Sequence, residues 1–139
     1  MPNIRVVVAD NHPAMLAHIC QQLSHNYEVV RTAQDGLEAC TAVLELQPDI
    51  VLLDITMPIM DGLYAAQRLR QAKCRVRIIL LSASDDPDFI AATFSAGADC
   101  YVAKSRLSTD LDPAIRAALQ GSHYFSHSDG FVELPNRKL

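Results

Sequence analysis

The sequence predicts an α/β domain built on a parallel sheet with helices on both faces. Three observations predict it. Short apolar runs alternate with amphipathic stretches through five repeats. Several of the runs are β-branched and apolar on consecutive residues, as in strands covered on both sides. The boundaries between runs carry helix start and stop signals. With 139 residues, half of them hydrophobic, the chain can bury a core of its own and reads as one domain with a short tail.

The elements follow in order. Ile4–Ala9 is the first strand and Pro13–Ser24 the first helix, with Leu16, Ile19, Cys20 and Leu23 on one helical face. Glu28–Ala33 is the second strand. Asp35 and Glu38 have the spacing of a capping box that opens the second helix, Gly36–Gln47, and Pro48 closes it. Asp49–Leu53 is the third strand and Leu63–Gln71 the third helix. Val76–Leu81 is the fourth strand. Asp86 followed by Pro87 reads as N-cap and first turn of the fourth helix, Pro87–Ala96, which Gly97 ends. Cys100–Ala103 is the fifth strand. Asp112–Pro113 opens the last helix, Pro113–Gln120, unless that helix begins nearer Ser108; Leu107, Leu111, Ile115 and Leu119 recur every four residues. After Gly121 the text SHYFSHSDGFVELPNRKL is polar and lacks a clear period, and it reads as a tail or linker. This strand–helix alternation is the pattern of a three-layer parallel sheet.

Composition narrows the function. The net charge is −4 and the pI about 5.6, with Lys and Arg scattered, so the chain is not expected to hold DNA by itself. No apolar run approaches the ~20 residues of a membrane helix, and the opening MPNIRVVVAD lacks the long apolar segment of a signal peptide. Cys20, Cys40, Cys74 and Cys100 fit neither a zinc pattern nor a CxxC motif and read as small buried hydrophobes of a reducing cytoplasm. His123 and His127 are four apart, a spacing that could hold a metal on a helix, but they fall in the expected tail.

The chemistry collects at strand ends. Asp10 and Asn11 follow the first strand, Asp54 the third, Ser82 the fourth and Lys104 the fifth. In an open parallel sheet these ends share one edge, where such folds bind ligands at the switch point in strand order. If the order is the flavodoxin-like 2-1-3-4-5, Asp10 and Asp54 become neighbours. Two close carboxylates repel each other unless a cation intervenes. A hard ion such as Mg²⁺ suits them. A carboxylate flanked by a metal, the Lys104 ammonium and the Ser82 hydroxyl is equipped to take a phosphoryl group. Taken singly, each residue has a duller reading: a turn aspartate, a loop serine, a solvated lysine. Joint placement on one edge favours the site.

At this point the residues resemble a known family. PDIVLLDITMPIMDG (48–62) resembles the phosphoacceptor segment of bacterial response-regulator receiver domains. ADNHP, LLSAS and GADCYVAKS resemble the other receiver signatures, in order and at matching separations, over about residues 4–121. The resemblance implies a (βα)5 flavodoxin-like fold, with residues 1–121 as receiver. It implies Asp54 as phosphoacceptor and a Mg²⁺ site made of Asp10, Asn11, Asp54 and the Thr56 backbone carbonyl. It implies Ser82 and Lys104 as phosphoryl-binding groups and Tyr101 as the aromatic that moves with Ser82. His12 lies beside the pocket, matches the family's histidine and is given no catalytic role. The implied partners are a sensor histidine kinase and a second copy on phosphorylation, through the side made by the fourth helix, fifth strand and last helix or through the first and last helices, in the cytoplasm.

HP after the acidic residues, Ser105 after Lys104 and AIRAALQGSHYFS resemble NarL/FixJ-type regulators, whose DNA contact is made by a C-terminal LuxR-type helix-turn-helix. The final LPNRKL faintly resembles the opening of that output domain, so residues 122–139 are expected to lead toward one absent from this chain. One departure stands out: the family's second acid is Asn11 here. An amide oxygen can ligate but brings no charge, so weaker Mg²⁺ binding is expected. The same departure would fit a pseudo-receiver, a phosphorylation-independent interaction module, although the retained Asp54, Ser82 and Lys104 oppose it. A haloacid-dehalogenase-type phosphatase ranks last, because Asn11 and His12 after Asp10 break its DxD motif. The domain is expected to be a signalling module, not an enzyme in the usual sense.

Overall fold

The computed structural model describes residues 3–84, 86–127 and 130–134, apart from the side chains of Pro87, His127 and Leu134. Strands β1 (Arg5–Ala9), β2 (Glu28–Ala33), β3 (Ile50–Asp54), β4 (Arg77–Ser82) and β5 (Cys100–Ala103) alternate with helices α1 (Pro13–Leu23), α2 (Gly36–Leu46), α3 (Gly62–Gln71), α4 (Pro87–Ser95) and α5 (Leu107–Leu119). The strands pair in parallel in the order β2-β1-β3-β4-β5, as expected.

The two faces bury different sets of side chains, which follows from the alternation of side chains along each strand. Val7, Val51, Leu53, Ile78 and Leu80 pack with Ala39, Val43, Ala65 and Leu69 of α2 and α3. Val6, Val8, Leu52, Ile79 and Leu81 pack with Ile19 and Leu23 of α1 and Leu111 and Ile115 of α5. β3 is buried at every position, the consequence of covering a central strand on both faces. The N-cap aspartates act as the sequence indicates, although Glu38 turns back to the Gln34 amide at 3.3 Å, one residue short of a full capping box. Asp35 accepts from the Glu38 amide at 2.8 Å and Asp86 from the Asp88 amide at 2.9 Å. Asp61, which the sequence reading did not use, caps α3 by accepting from the Tyr64 amide at 2.8 Å.

Three expectations need correction. The sheet has seven strands, because β6 (His123–His127) pairs in parallel with β5, and β7 (Gly130–Leu134) pairs antiparallel with β6. Much of the expected tail is therefore sheet. Tyr124, Phe125 and Ser126 are buried, and apolar periodicity misses so short a strand because polar Ser126 is among its inward residues. His123 and His127 lie on a strand, not a helix, and LPNRKL beyond Leu134 falls outside the described residues. Second, α5 begins at Leu107, beside the alternative start near Ser108 and not at Pro113; it follows a 3-10 turn (Lys104–Arg106), and Pro113 sits inside it. The leucine period prevails there over the Asp–Pro start signal, since Leu107 and Leu111 are both buried. Third, only Cys40 and Cys100 are buried; Cys20 and Cys74 are half-buried, and all four are free thiols.

Among the described residues no helix is long and apolar enough to cross a membrane.

Candidate functional site

Pairing of β1 with β3 sets Ala9 opposite Leu53, so Asp10 and Asp54 leave adjacent strands at the same level. Asp54 and Ser82 are the last residues of their strands, and Lys104 is the first residue beyond β5. All lie on the carboxyl edge of the sheet, at the point where the strand order reverses.

Lys104 bridges the two acids. Its Nζ lies 3.1 Å from Asp10 Oδ2 and 3.0 Å from Asp54 Oδ2. Both carboxylates are buried, at 0% and 2% exposure. Neither oxygen accepts a backbone hydrogen bond among the described residues. The other oxygens are held by backbone: Asp10 Oδ1 accepts from the His12 amide at 2.8 Å and Asp54 Oδ1 from the Thr56 amide at 3.2 Å. Burial pushes the Asp54 carboxyl above its usual range; the hydrogen bond and charge of Lys104 pull it back, and Asp10 pushes it up again.

His12, expected beside the pocket, joins the cluster. Its Nδ1 lies 3.2 Å from Asp10 Oδ1 and 3.9 Å from Asp54 Oδ2. Asn11 departs in another way. Its Oδ1 is buried without a hydrogen-bond partner among the described residues, beside Asp10 on the cleft between α1 and β2.

On the fourth strand, Ser82 Oγ accepts from the Ser84 amide at 3.0 Å, and the Tyr101 hydroxyl donates to the Ser84 carbonyl. Ser84 thus ties Ser82 to Tyr101, which is fully buried. The second serine of LLSAS was legible in the sequence, but nothing in it announced this bridge.

The loop after β3 closes tightly on the acid. A Cβ on Gly62 would lie 2.3 Å from the Asp54 carbonyl oxygen, so only glycine fits. The Gly62 amide donates to the Ile55 carbonyl at 2.9 Å, which holds the loop against the strand end.

The class so defined is a doubly wound α/β domain with an acidic, lysine-bridged pocket at its switch point. The family model for the response regulator receiver domain matches residues 6–116, and the chain belongs to that family. It is 32% identical over 124 residues to the oxygen regulatory protein NreC of Staphylococcus epidermidis, covering 87% of this chain and 57% of that protein. It is 37% identical over 124 residues to the nitrate/nitrite response regulator protein NarP of Escherichia coli, covering 88% and 58%. Among solved structures, the signal receiver domain of NarL from Mycobacterium tuberculosis superposes with a TM-score of 0.83 at 32% identity, covering 87% of this chain and 99% of that one. These relatives place the domain in the NarL/LuxR group. The chain spans a little over half the length of the full-length regulators it matches.

Receiver domains bind Mg²⁺ at an acidic pocket, and the residues here fit that ion. Asp10, His12 and Asp54 offer ligand atoms within 4.8 Å of one another, and the buried carboxylate oxygens are hard donors with a single cationic partner.

Proposed function

We propose that Asp54 is the phosphoacceptor of this receiver, charged by a sensor histidine kinase. The observation that carries the reading is Lys104, whose ammonium sits 3.0 Å from Asp54 and 3.1 Å from Asp10 at the carboxyl edge of the sheet. An Asp54 oxygen attacks phosphorus in line with the donor. The new O–P bond forms as the P–N bond to the donor histidine breaks, and the electron pair leaves with the imidazole. Lys104 neutralises charge on the transferring oxygens, and Ser82 supplies a hydroxyl to the bound group once it turns from the Ser84 amide. Asp10, Asn11, Asp54 and the Thr56 carbonyl would hold Mg²⁺, which supplies charge neutralisation when bound. Tyr101 follows Ser82 through Ser84.

In this reading the domain is a switch, not a metabolic enzyme, and phosphorylation biases a two-state element. Its output is transcription, through a C-terminal helix-turn-helix like that of the LuxR group, with a second copy as partner. NarP and NreC, whose names denote regulators, support that output.

Intact mass after incubation with acetyl phosphate and Mg²⁺ tests it. Wild type is expected to gain one phosphoryl group and Asp54→Asn none. An unmodified wild type at high Mg²⁺ would overturn the reading in favour of a phosphorylation-independent interaction module.

A further inference from the structure

The strand that the sequence hides lies against the functional site. β5 pairs with β4 on one edge, up to Ser82 opposite Ala103. On its other edge the backbone ladder with β6 covers only Cys100 with Tyr124 and Tyr101 with Phe125. Beyond that point a side chain replaces the ladder: the Ala103 amide donates to Ser126 Oγ. Ser126 is fully buried, although it is a polar residue in a segment of polar composition. Ala103 directly precedes Lys104, whose carbonyl then accepts the Leu107 amide to start the 3-10 turn.

We propose that Ser126 is a positioning residue of the phosphoacceptor site. Its hydroxyl fixes the backbone one residue before Lys104 and so sets where the ammonium reaches Asp10 and Asp54. The inference rests on the phosphoacceptor reading above.

The surroundings make Ser126 a firm anchor. Phe125 packs in the same core cluster as Tyr101, and its ring lies 4.2 Å from that of Phe94 on α4. Tyr124 is buried, and its hydroxyl interacts with Asp110 of α5. Asp110 also receives two bonds from Arg106, at 2.7 and 3.1 Å, at the end of the same 3-10 turn. β6 is therefore held from both sides, and Lys104 leaves β5 between two fixed points: the Ala103–Ser126 bond before it and the Arg106–Asp110 pair after it. A buried amide that loses its acceptor is driven to find another, and a shift of the 103–104 backbone is one way for it to do so. Lys104 has to span from a strand end to two acids at once, so a small backbone displacement costs it at least one of them.

The test is beryllofluoride binding in the presence of Mg²⁺, followed by fluorine NMR, for Ser126→Ala, Ser126→Thr, Lys104→Ala and the Ser126→Ala/Lys104→Ala double variant. Ser126→Ala is expected to weaken binding by roughly fivefold or more, a coupling of ordinary size for residues in one network. Ser126→Thr keeps the hydroxyl and is expected to bind like wild type. In the Lys104→Ala background Ser126→Ala is expected to add nothing, because its whole effect passes through the lysine. Equal binding by Ser126→Ala and wild type would overturn the proposal. So would the same loss in both backgrounds, which is the signature of a merely structural residue. If wild type itself fails to bind, the phosphoacceptor reading falls. Crystal structures of wild type and Ser126→Ala then still decide the positioning claim: Lys104 Nζ unmoved between Asp10 and Asp54 overturns it, and a displaced ammonium supports it.

Discussion

The two ends of the sheet treat charge in opposite ways. At the amino end, Arg70 of α3 donates from Nε to the Gly97 carbonyl at 2.7 Å and from one terminal nitrogen to the carbonyls of Cys74 and Val76 at 2.9 and 2.8 Å. Its other terminal nitrogen meets Asp99 Oδ2 at 3.0 Å, and the same oxygen accepts from the Ile78 amide at 2.8 Å. One guanidinium, one carboxylate and four backbone groups form a closed set. At the carboxyl end, two buried carboxylates share one ammonium, and their Oδ2 atoms accept no backbone hydrogen bond among the described residues. The first arrangement holds α3, β4 and β5 together. The second is under-compensated and can gain by taking a cation or a phosphoryl group. Both contain an ion pair at 3.0 Å, so distance alone does not separate structural charge from functional charge; the balance of partners does.

Breaking the closed set gives the largest expected effect on stability. Arg70→Ala strands a mostly buried Asp99 and three carbonyls, a loss of about 2–4 kcal/mol. Urea unfolding reads it as a lowered midpoint, with beryllofluoride binding at the far edge kept. A loss below about 1 kcal/mol would show that the guanidinium network is replaceable by water.

Gly62→Ala comes next. At the start of a helix, glycine to alanine ordinarily stabilises by up to about 1 kcal/mol. Here the added Cβ would sit 2.3 Å from the Asp54 carbonyl. The expected sign is therefore reversed, at about 2–3 kcal/mol lost, and the shift falls on the acceptor residue, so phosphoryl transfer from acetyl phosphate is expected to slow. A stabilised Gly62→Ala variant would mean that the loop yields without cost.

This contrast also marks what the sequence made legible. The sheet order, the helix faces and the meeting of Asp10, Asp54 and Lys104 all follow from strand ends, and strand ends are visible as breaks in apolar runs. Interactions made by backbone groups are not visible that way. Ser126 acts through the Ala103 amide, Ser84 joins Ser82 to Tyr101 through its own amide and carbonyl, and Gly62 matters because of a carbonyl oxygen. β6 was missed for a related reason: five residues reading HYFSH have neither the alternation of a half-exposed strand nor the apolar run of a buried one. Pro113 misled in the other direction, since α5 tolerates the lost hydrogen bond in exchange for burying Leu107 and Leu111.

Asn11→Asp sharpens the comparison by making the open edge more unbalanced. A third carboxylate beside Asp10 and Asp54 is expected to raise Mg²⁺ affinity about tenfold, measured by calorimetric titration. Without metal, the same variant is expected to be less stable than wild type. Equal Mg²⁺ affinities would show that the amide oxygen already serves as a full ligand.

Asp54→Asn carries the smallest stability effect and the most specific pH dependence. Burial raises the folded carboxyl above its unfolded value of 3.8, so the native state holds this proton more tightly than the unfolded chain does. Between the unfolded and folded values, rising pH removes a proton that the native state favours, and stability falls. Above the folded value the penalty is complete and constant. Asparagine has no such penalty, so in chelator at neutral pH the variant is expected to be the more stable protein by about 1 kcal/mol. The difference should shrink as pH falls through the folded value and vanish below the unfolded one. A variant less stable than wild type at neutral pH would mean that Lys104 over-compensates the acceptor, and that the carboxyl edge is balanced like the amino edge.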